Sequence, residues 1–312
     1  MISVQSAVTI ENNIDPERFN VYKIAIDRSG WFHETAGGEK VAVDRNDFSL
    51  TIGGQKINFD AVFIGIHGTP GEDGKLQGYF DMLEIPYTSC DAITSALTFN
   101  KFYCNKVVAD FGVVNIAKSR HYFRHSVPAP EAILAELSLP VFVKPNEGGS
   151  SIGMSRVNKA EDLAGALDKA FQEDRQIIIE EFISGREFTV GVFNNNGTIT
   201  ALPITEVVAG KEFFDFEAKY TPGVSKEITP AQIDAATTAL IQDTAKDIYE
   251  RLNCKGIIRI DFIRRDDGQL FMLEINTMPG QSENSIVPQQ VRAAGMTLRE
   301  FYGTLIGACL RK

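Results

Sequence analysis

The sequence predicts a mixed α/β and α+β protein, a doubly wound α/β domain followed by α+β modules, and three observations carry that expectation. Strand-like apolar runs alternate with helical patterns through the first third. Prolines and a new start, "SVPAPEAI", follow a helical stretch at 91–111. Late in the chain, "RIDFIRRDDGQLFMLEIN" (259–276) reads as a β-hairpin around Asp266-Asp267-Gly268.

In chain order, "VYKIAID" and "AVFIGIH" read as strands, and "GKLQGYFDMLEI" reads as a helix after a Gly-rich turn. After the boundary, "LPVFVKP", "SSIGMSRV", "QIIIEEFI" and "EFTVGVF" are strand-like. They surround a helix, "KAEDLAGALDKAFQED", with Asn158 and Glu161 at capping-box spacing. A long helix is expected from Thr229-Pro230, with Thr229 as cap, Pro230 at the first helical position and Gln232 completing the box. Thr297 and Glu300 open a last helix. The run 209–228 reads as a loop of about 20 residues, long enough to be a functional lid. The sequence shows neither an internal repeat nor a low-complexity tract.

With 312 residues, 44% of them hydrophobic, the chain can bury a core large enough for two or three domains. The formal net charge of −10 argues against a broad nucleic-acid or anionic-membrane surface, so an anionic ligand must be held locally. Cys90, Cys104, Cys254 and Cys309 show no C-x-x-C spacing, which suits reduced thiols in the cytosol. The start, "MISVQSAVTI", lacks a basic and apolar leader pattern, and no run of about 18 apolar residues occurs, so a soluble, cytoplasmic protein is expected.

The late hairpin poses the functional question. Strict alternation places residue 261 near 272 and 259 near 274, with Ile258, Ile260, Phe262, Phe271, Leu273 and Ile275 on an apolar face. The opposite face then gathers Ile257, Arg259, Asp261, Met272, Glu274 and Asn276. Two readings stay open for it. One is a solvated face with an Arg–carboxylate pair. The other is a hard-cation site, because Asp, Glu and Asn supply oxygen ligands of the kind that hold Mg²⁺ beside phosphates.

Other motifs bear on that choice. "VFVKPNEGGSSIGMS" (141–155) combines Lys144 with Gly148, Gly149, Ser150 and Ser151, a set able to cradle phosphates through backbone N–H and hydroxyl donors. It has neither Walker A nor G-x-G-x-x-G spacing; a Gly-rich hairpin turn is the plain alternative. "IIIEEFISGREF" (177–188) offers an edge that could bind adenine, and "FFDFEAKY" (213–220) supplies aromatics plus Lys219 and Tyr220 for a lid or for pinning a loop. "IHGTPGEDG" places His67 at a strand end, where doubly wound folds bind ligands, with Glu72 and Asp73 suited to turn and helix-start roles. "HYFRH" has two His at i, i+4 but does not read as a helix or as a metal site.

In this order the motifs "HGTPGEDG", "VKPNEGGSSIGMS", "EFTVGV", "FDFEAKY", "RIDF", "LEINTMPG" and "SENSIVP" closely resemble the D-alanine:D-alanine ligase family of the ATP-grasp superfamily, from Ile2 to about Cys309. The resemblance implies three domains, at 1–97, 98–187 and 188–312, with ATP grasped between two antiparallel sheets, and a cytoplasmic homodimer making the peptidoglycan precursor dipeptide. It implies that Lys101 and Lys144 hold the α and β phosphates, that Gly148, Gly149, Ser150 and Ser151 cover them, and that Glu180, Phe182, Ile183 and Glu187 line the adenosine site, with Phe213 and Leu273 completing the nucleotide set. Asp261, Glu274 and Asn276 would bind two Mg²⁺ ions, with Mn²⁺ an alternative.

By the same resemblance, the first D-alanine carboxylate attacks the γ-phosphate and the amine of the second attacks the acyl phosphate. Lys219 would neutralise phosphoryl charge, and Arg259 with the Gly280 N–H would hold the oxyanion. Ser285, Ile286 and Lys219 would hold the second carboxylate. Ser150 and Tyr220 would position the lid and amine, Tyr220 favouring D-alanine over D-lactate, and His67 would face substrate. The family's "E-x-x-S"-like stretch, whose Glu binds the first ammonium, precedes the point where this chain begins. The expectation from that difference is nucleotide binding with weakened ligation. Alternatives are another ATP-grasp carboxylate:amine ligase, such as a D-alanine:D-lactate enzyme, or a non-catalytic nucleotide-binding module.

Overall fold

The computed structural model describes residues 2–149, 151–209 and 225–311. In chain order these form α1 (Ile2–Asn13), β1 (Ile24–Asp27), β2 (Gly30–Glu34), β3 (Lys40–Ala42), β4 (Leu50–Ile52), β5 (Gln55–Ile57), α2 (Lys75–Met82), α3 (Ala92–Phe99) and α4 (Lys101–Asp110). Next come β6 (Asn115–Ile116), β7 (Ser119–Phe123), α5 (Pro130–Leu134), β8 (Val141–Pro145), β9 (Ser155–Val157), α6 (Leu163–Glu173), β10 (Gln176–Glu181) and β11 (Arg186–Asn195). The remainder is β12 (Thr198–Ala201), β13 (Thr205–Ala209), β14 (Ser225–Ile228), α7 (Ala235–Arg251), β15 (Ile257–Arg264), β16 (Leu270–Asn276), α8 (Ile286–Ala293) and α9 (Leu298–Leu310).

Two larger sheets organise the molecule. One has the order β7-β10-β8-β9; the other runs β14-β13-β11-β15-β16-β6, with β12 also paired to β11. The first buries Val143, Ile177 and Ile179 against α6, whose Leu163, Ala166, Leu167, Ala170 and Phe171 form one apolar stripe. The second buries Val190, Ile258, Ile260 and Phe262 against Ile241, Ala245 and Ile248 of α7. Its other side packs Phe193 and Ile257 against α8 and α9, where Phe301 and Tyr302 are fully buried.

The N-terminal region departs from the expected parallel strands. "VYKIAID" becomes β1, in a small antiparallel sheet with β2 and β3, whereas "AVFIGIH" makes only a parallel bridge, Val62 to Tyr87. An aromatic cluster of Trp31, Phe48, Tyr79 and Phe80 fills the interior here.

Several local expectations shift. The long helix begins at Ala235, not at Thr229-Pro230, because the Asp234 carboxylate accepts from the Thr237 N–H at 2.8 Å and is the working cap. Asn158 and Glu161 do not form a box; α6 follows a short 3₁₀ turn at 160–162. The run 209–228 ends in strand β14, paired to β13, so the expected loop is shorter. The Thr297–Glu300 capping box is present as expected. All four cysteines are free.

In the late hairpin the turn is as expected, with Gly268 at φ 87°. The register is not. Phe262 faces Met272 and Asp261 faces Glu274, so Leu273 is an extra residue, a β-bulge. The bulge exchanges faces: Met272, 2% exposed, joins the core, and half-buried Leu273 leaves it. Pure alternation keeps Met272 and Glu274 on one face. Inserting Leu273 lets the thioether go inward and the carboxylate outward.

Candidate active site

The polar face of the hairpin is built from the paired positions Arg259↔Asn276 and Asp261↔Glu274. Arg259 Nε and Nη2 each donate at 2.8 Å to Asp261, one to each carboxylate oxygen. Asp261 also accepts from the Thr189 hydroxyl on β11 and from Asn276 Nδ2 at 3.3 Å. Burial opposes the charge on Arg259, but the Asp261, Glu274 and Glu72 carboxylates more than offset it and hold its pKa above the ordinary arginine value. The expected Arg–carboxylate pair exists, but it is largely buried rather than solvated, and it is joined in register by Glu274 and Asn276.

A pocket lies against this face, lined among others by Glu72, Lys101, Gly148, Gly149, Glu274 and Asn276. Lys101 opens α4, whose cap Asn100 accepts from the Tyr103 N–H at 3.1 Å. Its ammonium donates to Gly148 O at 2.5 Å, tying the helix start to the glycine loop. Burial lowers the Lys101 pKa, and Glu274 works against that shift. Gly148 at φ 144° and Ser151 at φ 56° give the loop its non-standard path.

Lys144 on β8 meets Glu180 on β10 at 2.5 Å, and Asn105 Nδ2 donates to the other Glu180 oxygen at 2.9 Å. Burial lowers the Lys144 pKa, the Glu180 carboxylate more than restores it, and the ammonium ends above its usual value. Beyond Glu180 the chain turns through Phe182 and Ile183 into β11, where Glu187 pairs in register with Val207 and Ile263. The Phe182 ring stacks under the Arg156 guanidinium at 4.5 Å.

His67 sits at a second, adjoining pocket with Ser6 and Gln281. Its Nδ1 lies 2.8 Å from Met278 O and its Nε2 3.0 Å from Ser6 Oγ. A carbonyl only accepts, so Nδ1 carries the proton. In the neutral ring Nε2 then accepts from Ser6, whose oxygen in turn accepts from the Gln281 N–H at 3.1 Å. Burial lowers the His67 pKa and favours this neutral form. Gly280 passes so close to Ser285 that an added Cβ would lie 2.8 Å from its hydroxyl oxygen. Ser285 stands at the start of α8, with Ile286 the first helical residue. Ser150, Phe213, Lys219 and Tyr220 lie outside the described residues.

Three contributors were not foreseen as site residues. Glu72, read from sequence as a turn residue, is driven up to about 7 by burial and accepts from the Gly68 N–H at 2.7 Å. Asn146, fully buried, accepts from the Phe102 N–H through its side chain at 2.9 Å and from the Lys101 N–H through its carbonyl at 3.2 Å, which fixes the start of α4. Thr189 holds Asp261 from the neighbouring strand. The glycines of "HGTPGEDG" hint at the first, since a Cβ on Gly71 would lie 2.1 Å from Ile66 O; the other two carry no local signal.

For a divalent cation, the donor chemistry fits: the carboxylates of Asp261 and Glu274 and the carboxamide oxygen of Asn276, all hard donors, lie on adjacent strands, and Glu274 and Asn276 line a pocket together with Lys101. Asp261, however, already accepts four hydrogen bonds, which is about its whole lone-pair capacity. Ligation by Asp261 therefore requires at least one of these bonds to yield.

Comparison with known proteins covers nearly the whole chain. The family model described as "D-ala D-ala ligase C-terminus" matches residues 108–307, and the one described as "D-ala D-ala ligase N-terminus" matches residues 1–90. The chain is 46% identical over 306 residues to a D-alanine--D-alanine ligase of Parabacteroides distasonis, covering 98% of this chain and 92% of the relative. It is 45% identical over 305 residues to the enzyme of that name from Porphyromonas gingivalis, again covering 98% and 92%. Among solved structures, a D-Ala:D-Ser ligase from Enterococcus faecalis superposes with TM-score 0.86 at 32% identity, covering 98% of this chain and 94% of that one. The D-alanyl-alanine synthetase A of Vibrio cholerae superposes with TM-score 0.87 at 26% identity, covering 100% and 94%.

Proposed function

The chain belongs to the D-alanine–D-alanine ligase family, an ATP-grasp ligase joining two D-alanines through an acyl phosphate for peptidoglycan precursor synthesis, and from that premise we propose how its residues divide the work. One observation carries the proposal. Lys101, the Gly148-Gly149 loop, Glu274 and Asn276 converge on one pocket from separate parts of the chain, matching what a polyphosphate and its cation require.

Lys101 and Lys144 take the α and β phosphates. The loop from Gly148 to Ser151 covers them. Glu180, Phe182, Ile183, Glu187, Phe213 and Leu273 surround the adenosine, with the Arg156–Phe182 stack closing one side. Asp261, Glu274 and Asn276 hold the divalent metal, two Mg²⁺ ions in the fullest form of this reading. When bound, the metal supplies charge neutralisation for phosphoryl transfer. Arg259 holds the developing oxyanion with the Gly280 N–H, and its pairing to Asp261 fixes where the guanidinium points. Ser285 and Ile286 receive the second carboxylate at the start of α8, with Lys219. His67 orients the substrate side, anchored through Met278 and Ser6. Ser150 and Tyr220 position the lid and the amine substrate, with Tyr220 favouring D-alanine over D-lactate as the acceptor.

We infer also a cytoplasmic homodimer. Among the described residues no helix is long and apolar enough to cross a membrane, which is compatible with that setting.

The test is D-alanine-dependent phosphate release from Mg·ATP, repeated with D-serine and D-lactate as second substrates. Release with D-alanine alone as acceptor supports the full reading. A preference for D-serine or D-lactate would overturn the acceptor assignment, and phosphate release insensitive to every acceptor would overturn the division of roles.

A further inference from the structure

Strand β11 carries an irregular neighbour on one edge. β13 pairs with it from Glu187 to Thr189, and β12 pairs with it from Val192 to Asn195. Between those two ladders the edge is filled by a side chain. Gln290 of α8 donates from Nε2 to Thr189 O at 2.9 Å and accepts the Gly191 N–H on Oε1 at 2.9 Å. A carboxamide has one acceptor and donors on the same plane, so it replaces a peptide unit of the absent strand. Gln290 is wholly buried, and its second amide hydrogen goes to Thr205 Oγ1 at 3.1 Å. The Thr205 hydroxyl is in turn 2.6 Å from that of Thr229. Every polar group of Gln290 is therefore used.

The residue it grips matters. Thr189 is paired with Asp261 across the ladder, and its hydroxyl donates to Asp261 Oδ1. Gln290 lies on α8, the helix that begins at Ser285 and Ile286. One buried side chain thus joins the helix of the second-substrate site to the strand position that orients the metal-side carboxylate.

We propose that Gln290 is a positioning residue for catalysis, setting Asp261 through Thr189 and coupling that carboxylate to the start of α8. This rests on the reading of Asp261 as a metal ligand. Outer partners that orient a ligating carboxylate typically change metal affinity about 10–100-fold when removed. A purely structural role would lower stability without changing metal affinity.

The experiment titrates Mn²⁺ into the full chain with a non-hydrolysable ATP analogue, following bound Mn²⁺ by electron paramagnetic resonance, with melting temperature measured in parallel. Gln290→Met and Thr189→Val are each expected to weaken Mn²⁺ binding about tenfold. Thr189→Ser, which keeps the hydroxyl, should restore it, and the double variant should be no worse than the weaker single, because both cut one chain of contacts. In steady state, the Gln290→Met KM for the second D-alanine should rise more than kcat falls. Should Gln290→Met fail to fold, Thr189→Val and Thr189→Ser carry the comparison.

Asp261→Asn serves as the reference. If it weakens Mn²⁺ binding while Gln290→Met (or, if that does not fold, Thr189→Val) leaves it at the wild-type value, the coupling is overturned and the ligand reading survives. If Asp261→Asn itself changes nothing, the ligand reading fails, and the inference with it.

Discussion

Arg259 and Asp261, two residues apart on β15, face the same side of the sheet and are joined by two hydrogen bonds of 2.8 Å, one to each carboxylate oxygen. The guanidinium fork and the carboxylate match in plane and spacing, so each holds the other's orientation. The pair is largely buried, with side-chain exposures of 19% and 11%, and under the proposed division of roles Arg259 serves the oxyanion and Asp261 the metal.

Replacing Arg259 should therefore do two things. Arg259→Ala is expected to lower kcat about 10²–10³-fold, the usual cost of one oxyanion donor, and to destabilise the fold by about 3 kcal/mol because Asp261 is left buried and unpaired. Arg259→Lys keeps the charge and loses the fork, so it should recover part of the stability and little of kcat. Steady-state phosphate release and urea unfolding read the two effects. A Lys variant with wild-type kcat would show that charge alone suffices.

His67 predicts a pH dependence of stability. Its folded pKa is depressed by burial below the ordinary 6.5, so the unfolded chain binds the proton more readily. Stability from this group is complete above pH 6.5 and is lost as pH falls below that value. His67→Gln should remove that part of the acid-side loss. Urea unfolding from pH 5 to 8 tests it, and an unchanged profile in the variant would contradict the assignment.

Glu72 acts with the opposite sign. Its carboxyl is raised from 4.5 to about 7, chiefly by burial, so the folded state holds a proton that the unfolded state has released. Between those values stability falls as pH rises, by up to about 3 kcal/mol at the upper end. Glu72→Gln should be more stable than wild type at pH 8 and similar at pH 4.5. A variant that is less stable at pH 8 would mean that the ionised carboxylate is well satisfied where it lies.

Gly256 offers a test of the junction between the N-terminal region and β15. It adopts φ 63°, and an added Cβ would lie 1.9 Å from Thr88 O, a backbone atom with little room to yield. Gly256→Ala combines a left-handed residue, about 1–2 kcal/mol, with that clash, so a loss above about 2 kcal/mol is expected in chemical unfolding. A smaller loss would show that the 88–89 segment moves easily.

Local chemistry made much of this protein legible in advance. The sequence by itself determined the turn at Asp266-Asp267-Gly268, the Thr297–Glu300 box, the strand type of 186–195, and the polar character of Arg259, Asp261, Glu274 and Asn276, because each depends on neighbours within a few residues. The motif order was enough to recognise the family. The tertiary structure alone decided the rest. Alternation is a local rule, and only packing of Met272 into the core against Phe262 selects the bulge at Leu273 that brings Glu274 opposite Asp261. "AVFIGIH" kept only a bridge to Tyr87, and Thr229 did not cap the helix because its hydroxyl meets that of Thr205 and the Ala231 N–H goes to Ile204 O, contacts more than 20 positions away in the chain, which leaves Asp234 as the local cap. The grip of Lys101 on Gly148 spans 47 positions and that of Gln290 on Thr189 spans 101. No short pattern encodes them, because hydrogen-bond partners so far apart are chosen by the fold that brings them together.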